Sequence, residues 1–227
     1  MLLFGVYIAG SRVLNNFTSR PVEQVQVEGV FEYITREQVM NLITPAIDNK
    51  FMQLSIAQLK SQLEQESWIE RATVTRKWPD TLHVALEEQV PIARWGDDGF
   101  LNHRGQVILV EDNSLLAQLP WLQGRQADSE KIMQHYLELG KLLRSRNLMM
   151  NKLHVDELGT WRLTLTSGAN LVFGDSDILL KMQRFLYIYD RHLIDVFEAV
   201  ASVDLRYANG LAVAWEDGYE VVIEGAS

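Results

Sequence analysis

The sequence predicts an α+β protein in which a small module of three strands and two helices precedes a β-rich domain with two helices. Three observations favour this class. Apolar and polar residues alternate in short runs, two segments carry helix-capping patterns, and turn signals separate several strands towards the C-terminus. With 227 residues, the chain is long enough for one large domain or two small ones.

The first module opens on a strand and two helices. Val22 to Val27 alternate apolar and polar side chains, which predicts a short strand. Thr35 to Gln38 form a capping box, in which a hydroxyl stands three residues before a glutamine, and predict a helix that ends near Pro45. Ser55 to Gln58 repeat this pattern and predict a second helix.

Two adjoining runs then carry the strongest strand signal. Arg71 to Lys77 and Thr81 to Gln89 each alternate, so two strands are predicted with Trp78 to Asp80 as the turn between them. The chain leaves through Pro91 into a further strand that ends at Trp95. One face of the second strand carries Leu82, Val84 and Leu86. The order strand, helix, helix, strand, strand predicts two helices on one face of a three-stranded sheet.

The second domain begins with short strands and one long helix. Gln106 to Val110 is the strongest strand signal after Trp95, and Leu119 to Gly124 is interpreted as a loop with buried anchors. Ser129 to Asn147 is predicted to be helical, because apolar residues recur there at helical spacing. About three strands, separated by glycine-containing turns, are expected between Lys152 and Gly174.

A helix and a hairpin complete this domain. Asp175 to about Phe197 is predicted to be helical. Ala199 to Tyr207 and Leu211 to Trp215 alternate on either side of Asn209-Gly210, the dipeptide typical of hairpin turns. The domain is therefore expected to be a mixed sheet that carries two helices.

The two ends of the chain lead to separate expectations. Met1 to Gly10 is apolar and uncharged but shorter than the roughly 20 residues that span a bilayer. Residues 1–12 are therefore interpreted as the C-terminal part of a transmembrane helix, with residues 13–21 as a linker. A segment packed on the domain is the alternative. Residues 216–227 are expected to be a tail or an extra strand.

Composition and motifs argue against an enzyme. The net charge of −9 and the isoelectric point near 5.1 disfavour nonspecific binding of nucleic acid. The absence of cysteine excludes disulfides and thiolate chemistry. Phosphate-loop, zinc-protease and serine-hydrolase motifs are missing, and the five histidines show no ligand-like spacing. The sequence therefore predicts no catalytic residue, no metal, no cofactor and no small-molecule substrate.

Three segments together resemble a known family. They are WIERATVTRKWPDTLHVALEEQVPIARW from Trp68, DGFLNHRGQVILV from Asp98 and VDLRYANGLAVAW from Val203. They are similar to the FtsQ family of bacterial cell-division proteins, called DivIB in Gram-positive relatives, over about residues 22–215. The resemblance implies a transmembrane helix, then a POTRA domain (polypeptide-transport-associated module) at residues 22–91, then a β domain at residues 92–215.

What that family does is expected of this chain through the resemblance alone. It implies a non-catalytic divisome scaffold that binds the FtsB–FtsL pair and links early to late division proteins, controlling septal peptidoglycan synthesis by FtsW and FtsI. FtsK is the candidate upstream partner. The implied location is the inner membrane at the division septum, with one span and most of the chain in the periplasm. A POTRA-containing secretion or outer-membrane assembly component is the alternative.

The resemblance also implies two partner-binding surfaces. The surface for FtsB is implied at Arg206, Tyr207, Asn209, Gly210, Leu211 and Trp215. The surface on the POTRA domain, for upstream recruitment, is implied at Ile56, Arg71, Val74 and Arg76. An edge strand beside a tyrosine and an arginine suits a partner that adds a strand of its own. Packing in a core or sheet is the alternative for Ile56, Val74, Tyr207 and Trp215. A further strand at Tyr219 to Ile223 would cover the edge assigned to FtsB.

Overall fold

The computed structural model describes residues 21–47, 51–97, 99–110 and 114–218. The chain divides into two compact units between Val90 and Pro91, and each unit has its own hydrophobic core. The predicted membrane segment, the linker as far as residue 20 and the predicted strand at residues 219–223 lie outside the described residues. Within the described ranges, no helix has the length and apolar character needed to cross a membrane.

The first unit is a three-stranded sheet with two helices, as the sequence predicts. Its elements are β1 (Gln24–Glu28), α1 (Arg36–Ile47), α2 (Ile56–Leu63), β2 (Ile69–Lys77) and β3 (Thr81–Glu88). The sheet order is β1-β3-β2, with β1 parallel and β2 antiparallel to the central strand. Leu82, Val84 and Leu86 of β3 are buried against both helices, so the predicted alternation of faces is confirmed.

Local capping explains where both helices begin. The Gln38 backbone N–H donates to Thr35 Oγ1 at 3.2 Å, and the Thr35 N–H donates back to Gln38 Oε1 at 2.8 Å, which confirms the capping box. The helix predicted to end near Pro45 includes this proline and ends at Ile47. Ala46 and Ile47 pack against the core, and this burial offsets the hydrogen bond that a proline removes from a helix.

The second unit is a nine-stranded mixed sheet with two helices. Its strands are β4 (Ala93–Trp95), β5 (Gly99–Leu101), β6 (Val107–Leu109), β7 (Trp121–Gln123), β8 (Met150–Val155), β9 (Trp161–Leu165), β10 (Asn170–Gly174), β11 (Val200–Asp204) and β12 (Ala212–Trp215). Their spatial order is β12-β11-β10-β9-β8-β7-β4-β5-β6. The helices α3 (Ser129–Arg144) and α4 (Ile178–Ile188) share a core with the apolar face of this sheet.

Two predictions in this unit are wrong at the level of single elements. The predicted loop at Leu119 to Gly124 contains β7, because this short segment pairs in parallel with β4 on one side and β8 on the other. Three residues are too few to show an alternation in the sequence. The α-helix predicted as far as Phe197 ends at Ile188, and one π-helical turn follows it at Tyr189–Leu193.

The predicted C-terminal hairpin is confirmed, but its turn is wider than Asn209-Gly210 implies. β11 and β12 pair antiparallel, and the last pair is Asp204 with Ala212. Residues 205–211 therefore form a seven-residue loop, which we call the β11–β12 loop. The strand predicted to reach Tyr207 stops at Asp204, because side chains bind the backbone of this loop at Leu205 O, Arg206 N and Ala208 O.

Candidate interaction surfaces

The strand β12 lies at one edge of the nine-stranded sheet. Among the described residues, β11 alone pairs with it. An edge strand leaves every second backbone N–H and C=O group without a partner strand, and such a row can pair with another chain. The orientation of each β12 residue decides which backbone groups are presented at this edge.

Hydrogen bonds at both ends of β12 establish its phase, that is, which of its residues direct their backbone groups towards β11 and which direct them to the open side. The Leu205 N–H donates to Val172 O of β10 at 2.7 Å, so residue 205 faces away from β12. The preceding residue, Asp204, therefore faces β12, where it pairs with Ala212. At the other end of β12, the Glu216 N–H donates to Ala199 O, just before β11, at 2.8 Å. Residue 216 therefore faces β11, as Ala212 does. The N–H and C=O groups of Val213, and likewise of residue 215, thus point to the open side of the sheet.

The side chains of β12 leave this edge accessible. Ala212 and Ala214 are exposed on one face and are small enough for a second backbone to approach. Val213 and Trp215 are half-buried and pack against the core on the other face. The edge therefore presents hydrogen-bonding groups on a strand whose own side chains are anchored by the domain.

The β11–β12 loop carries most of the predicted FtsB-binding residues beside this edge. Tyr207 is 57% exposed, Asn209 is exposed, and Leu211 packs in part against the core. The six predicted residues, which lie within ten positions of one another, thus form one stretch that runs from the loop into β12. Whether this stretch binds FtsB stays a prediction.

Arg206 in this loop already has an acidic partner within the chain. Its Nε and Nη2 atoms donate to the two carboxylate oxygens of Asp204 at 3.0 and 2.6 Å, and its backbone N–H also donates to Asp204 at 3.0 Å. These hydrogen bonds from Arg206 lower the pKa of Asp204. The same bonds raise the pKa of Arg206. A carboxylate on a partner would therefore have to share this guanidinium with Asp204.

The four residues predicted on the POTRA domain do not form one cluster of side chains. Arg71 is exposed and lies 4.0 Å from Glu87, whereas Val74 is in the core and 7% exposed. Arg76 is half-buried and donates to the carbonyl oxygens of Phe51, at 3.1 Å, and of Leu54. Ile56 is half-buried at the start of α2.

The open edge of β2 nevertheless includes one of these residues through its backbone. The Ala72 N–H donates to Glu64 Oε1 at 3.0 Å, so this residue faces away from β3. Val74 is two positions further on and has the same phase, which turns its N–H and C=O groups to the open side. Glu64 therefore covers this edge at Ala72. Val74 is accessible there only through its main chain, because its side chain is buried.

Sequence reasoning missed the residues that shape these surfaces. Asp204 lies two positions before Arg206, and this local spacing is a signal that could have indicated their pairing. Glu64 and Arg184 act on backbone groups at least eight residues away, and no local pattern indicates such contacts.

Elsewhere, the sheet face opposite α3 and α4 carries a polar depression of about 300 Å³. Its lining residues are Gln123, Lys152, His154, Arg162, Thr164 and Asn170. Burial, together with the nearby positive charges of Lys152 and Arg162, lowers the pKa of His154. In the described part of the chain, no three or more His, Cys, Asp or Glu side chains are grouped so that they could hold a metal ion.

Comparison with known proteins identifies both units. Residues 20–89 match the model of the FtsQ-type POTRA domain, and residues 93–206 match that of the C-terminal region of cell-division protein FtsQ/DivIB. A POTRA domain followed by this β-rich domain defines a class of cell-division protein. The chain belongs to the FtsQ/DivIB family. The match of the second unit favours this family over the secretion-component alternative.

Curated relatives named cell division protein FtsQ support the assignment. The protein of Cellvibrio japonicus is 45% identical over 207 residues, a match that covers 91% of this chain and 65% of that protein. Those of Methylomonas methanica and Hahella chejuensis are each 31% identical, with 87% and 95% of this chain covered, and 80% and 76% of the relative. The chain thus spans less than two thirds of the first of these relatives.

Proposed function

We propose that this protein is a non-catalytic scaffold of the divisome that binds FtsB and FtsL. In this role it links early to late division proteins and so controls septal peptidoglycan synthesis, with FtsW and FtsI as indirect partners. Family membership supports a role in division. One observation carries the proposal of partner binding, namely the open edge of β12 beside the exposed Tyr207.

The proposed mode of binding is strand addition. A segment of FtsB pairs with the outward N–H and C=O groups of Val213 and extends the sheet by one strand. The exposed ring of Tyr207 supplies an aromatic anchor, a residue type that often dominates interface energy. Arg206 attracts an acidic side chain of the partner, and Asp204 limits how strongly that pair forms. FtsL joins through its pairing with FtsB.

A second surface on the POTRA domain is proposed for upstream recruitment, with FtsK as the candidate partner. Ile56 and Arg71 contribute accessible side chains, and Val74 contributes its backbone at the open edge of β2. Arg76 acts indirectly, because its guanidinium holds the segment that precedes α2. The proposed domain limits are residues 22–91 for the POTRA domain and 92–215 for the β domain.

The proposed location is the inner membrane at the division septum. Residues 1–12 would contribute the end of a single span, and the described units would lie in the periplasm. Family membership in a group of cell-division proteins supports the septal location.

The experiment that tests the proposal is a binding titration against the periplasmic FtsB–FtsL complex. The wild-type chain should bind saturably, and Tyr207→Ala should weaken binding by more than about 1 kcal/mol. Tyr187→Ala is a matched control, because Tyr187 is 58% exposed but belongs to α4 rather than to the β11–β12 loop. Equal affinity for wild type and Tyr207→Ala would refute the proposed surface. An absence of binding by the folded wild type would refute the proposed partner.

A further inference from the structure

Arg184 of α4 makes an unusual contact with the β11–β12 loop. Its Nη2 donates to Leu205 O at 3.0 Å, and its Nη1 donates to Ala208 O. One guanidinium group thus binds two carbonyl oxygens that lie three residues apart. The residues between those two carbonyls are Arg206 and Tyr207, the centre of the proposed partner-binding surface.

This contact matters because few other contacts among the described residues determine the shape of the loop. Residues 206–209 are exposed, so burial contributes little to ordering them. The contacts that hold this segment at its start are the hydrogen bonds from Arg206 to Asp204 and the packing of Arg206 Cγ near Gly174. Arg184 reaches beyond these contacts to Ala208, on the far side of Tyr207.

The chemistry of arginine suits this task. A guanidinium is planar and carries its donors in a rigid fork, so it can fix the distance and orientation of two carbonyl groups at once. The ammonium group of lysine is a point donor on a flexible stem and does not impose that geometry. The helix α4 is itself held firmly, because Met182 and Phe185 on either side of Arg184 are buried in the core.

We propose that Arg184 is a positioning residue for partner binding, which holds the β11–β12 loop in the conformation that presents Tyr207 beside the β12 edge. This inference rests on the proposed function. Arg184 need not touch the partner. Because Arg184 already holds the loop before the partner arrives, the loop loses less conformational freedom on binding. Preorganisation of this kind raises affinity.

The test compares Arg184→Gln, Arg184→Lys and the control Arg191→Gln in the same titration. Arg191 lies two turns further on, where its guanidinium stacks on the ring of Tyr187 at 3.5 Å. Arg184→Gln should raise the dissociation constant about tenfold, whereas Arg191→Gln should leave it unchanged. Arg184→Lys should restore little, because it keeps the charge but cannot bridge two carbonyls. If Arg184→Gln fails to fold, Arg184→Lys decides the question by the same measurement.

Two further readouts separate positioning from general stability. Amide hydrogen exchange at residues 206–209 should accelerate in Arg184→Gln, while exchange in the core strand β9 should not change. The double variant Arg184→Gln, Tyr207→Ala should bind about as weakly as Tyr207→Ala alone, because Arg184 acts through Tyr207.

The inference is overturned if Arg184→Gln binds as the wild type does, or if Arg184→Lys restores full affinity. It is also overturned if the losses from Arg184→Gln and Tyr207→Ala add fully. If Tyr207→Ala binds weakly but Arg184→Gln binds with wild-type affinity, this inference alone is refuted. If Tyr207→Ala binds as the wild type does, the proposed binding surface is refuted as well, and if the folded wild type does not bind, the proposed partner is refuted.

Discussion

Replacing Val213 by proline should block a partner strand at the β12 edge while leaving the domain folded. The N–H group of Val213 points to the open side, so proline removes no bond between β12 and β11. Proline is tolerated in edge strands for this reason. The substitution removes one donor to an added strand, worth about 1 kcal/mol, and its ring occupies the space that a partner carbonyl needs.

The expected loss of affinity is at least about tenfold, equivalent to about 1.4 kcal/mol. The cost in folding stability should be about 1 kcal/mol, because the half-buried valine loses part of its packing against the core. For a unit of this size, such a loss lowers the melting temperature by about 4 °C. Titration against the FtsB–FtsL complex gives the affinity, and calorimetry gives the melting temperature.

Ala214→Pro is the matched control, one residue along the same strand. Its N–H faces β11, so proline there breaks the ladder and leaves a carbonyl without its donor, at about 1–3 kcal/mol of stability. Ala214→Pro should therefore melt at a lower temperature than Val213→Pro. Wild-type affinity in a folded Val213→Pro would refute strand addition at β12. A reversed order of melting temperatures would refute the derived phase of the strand.

Three other predictions concern single carboxylates. Glu88 accepts hydrogen bonds from the backbone N–H groups of residues 32, 33 and 34, so Glu88→Gln should destabilise the POTRA unit by about 2 kcal/mol in urea unfolding. Glu64→Ala should leave the Ala72 N–H uncovered, and its hydrogen exchange should accelerate about tenfold, whereas an unchanged rate would show that Glu64 does not protect it. The lowered pKa of Asp204 means that its contribution is present above its unfolded value of about 3.9 and is lost as pH falls through the lower folded value. Unfolding free energy should therefore decline more steeply below about pH 4 in the wild type than in Arg206→Gln, and parallel pH profiles would contradict this.

Local signals account for the parts of the fold that were predictable. The capping box at Thr35 involves residues three apart, and the faces of β3 follow from the alternation between Thr81 and Leu86. Both patterns act within one element, so no knowledge of neighbouring elements is needed. The same reasoning fails for β7, whose three residues become a strand only because β4 and β8 flank them.

The position of the candidate site is a prediction from the resemblance, and its construction was not predictable from the sequence. The resemblance implied a partner surface at Arg206, Tyr207 and the following residues. It did not indicate that Asp204 engages Arg206 or that Arg184 holds the loop between Leu205 and Ala208. Side chains from a distant helix and from the end of a strand set this geometry, and their meeting depends on how the chain packs.

The sequence by itself determined the order of most of the elements, the apolar faces and the family, because each depends on residues near one another or on motifs read in order. Within the described residues, the tertiary structure alone decided which strands lie at sheet edges, which of their backbone groups face outward and the shape of the β11–β12 loop. These features arise from pairing between segments far apart in the chain. Val74 illustrates the difference, since the sequence left its side chain between a partner surface and the core, and only the tertiary structure buried it while turning its backbone to the edge of β2.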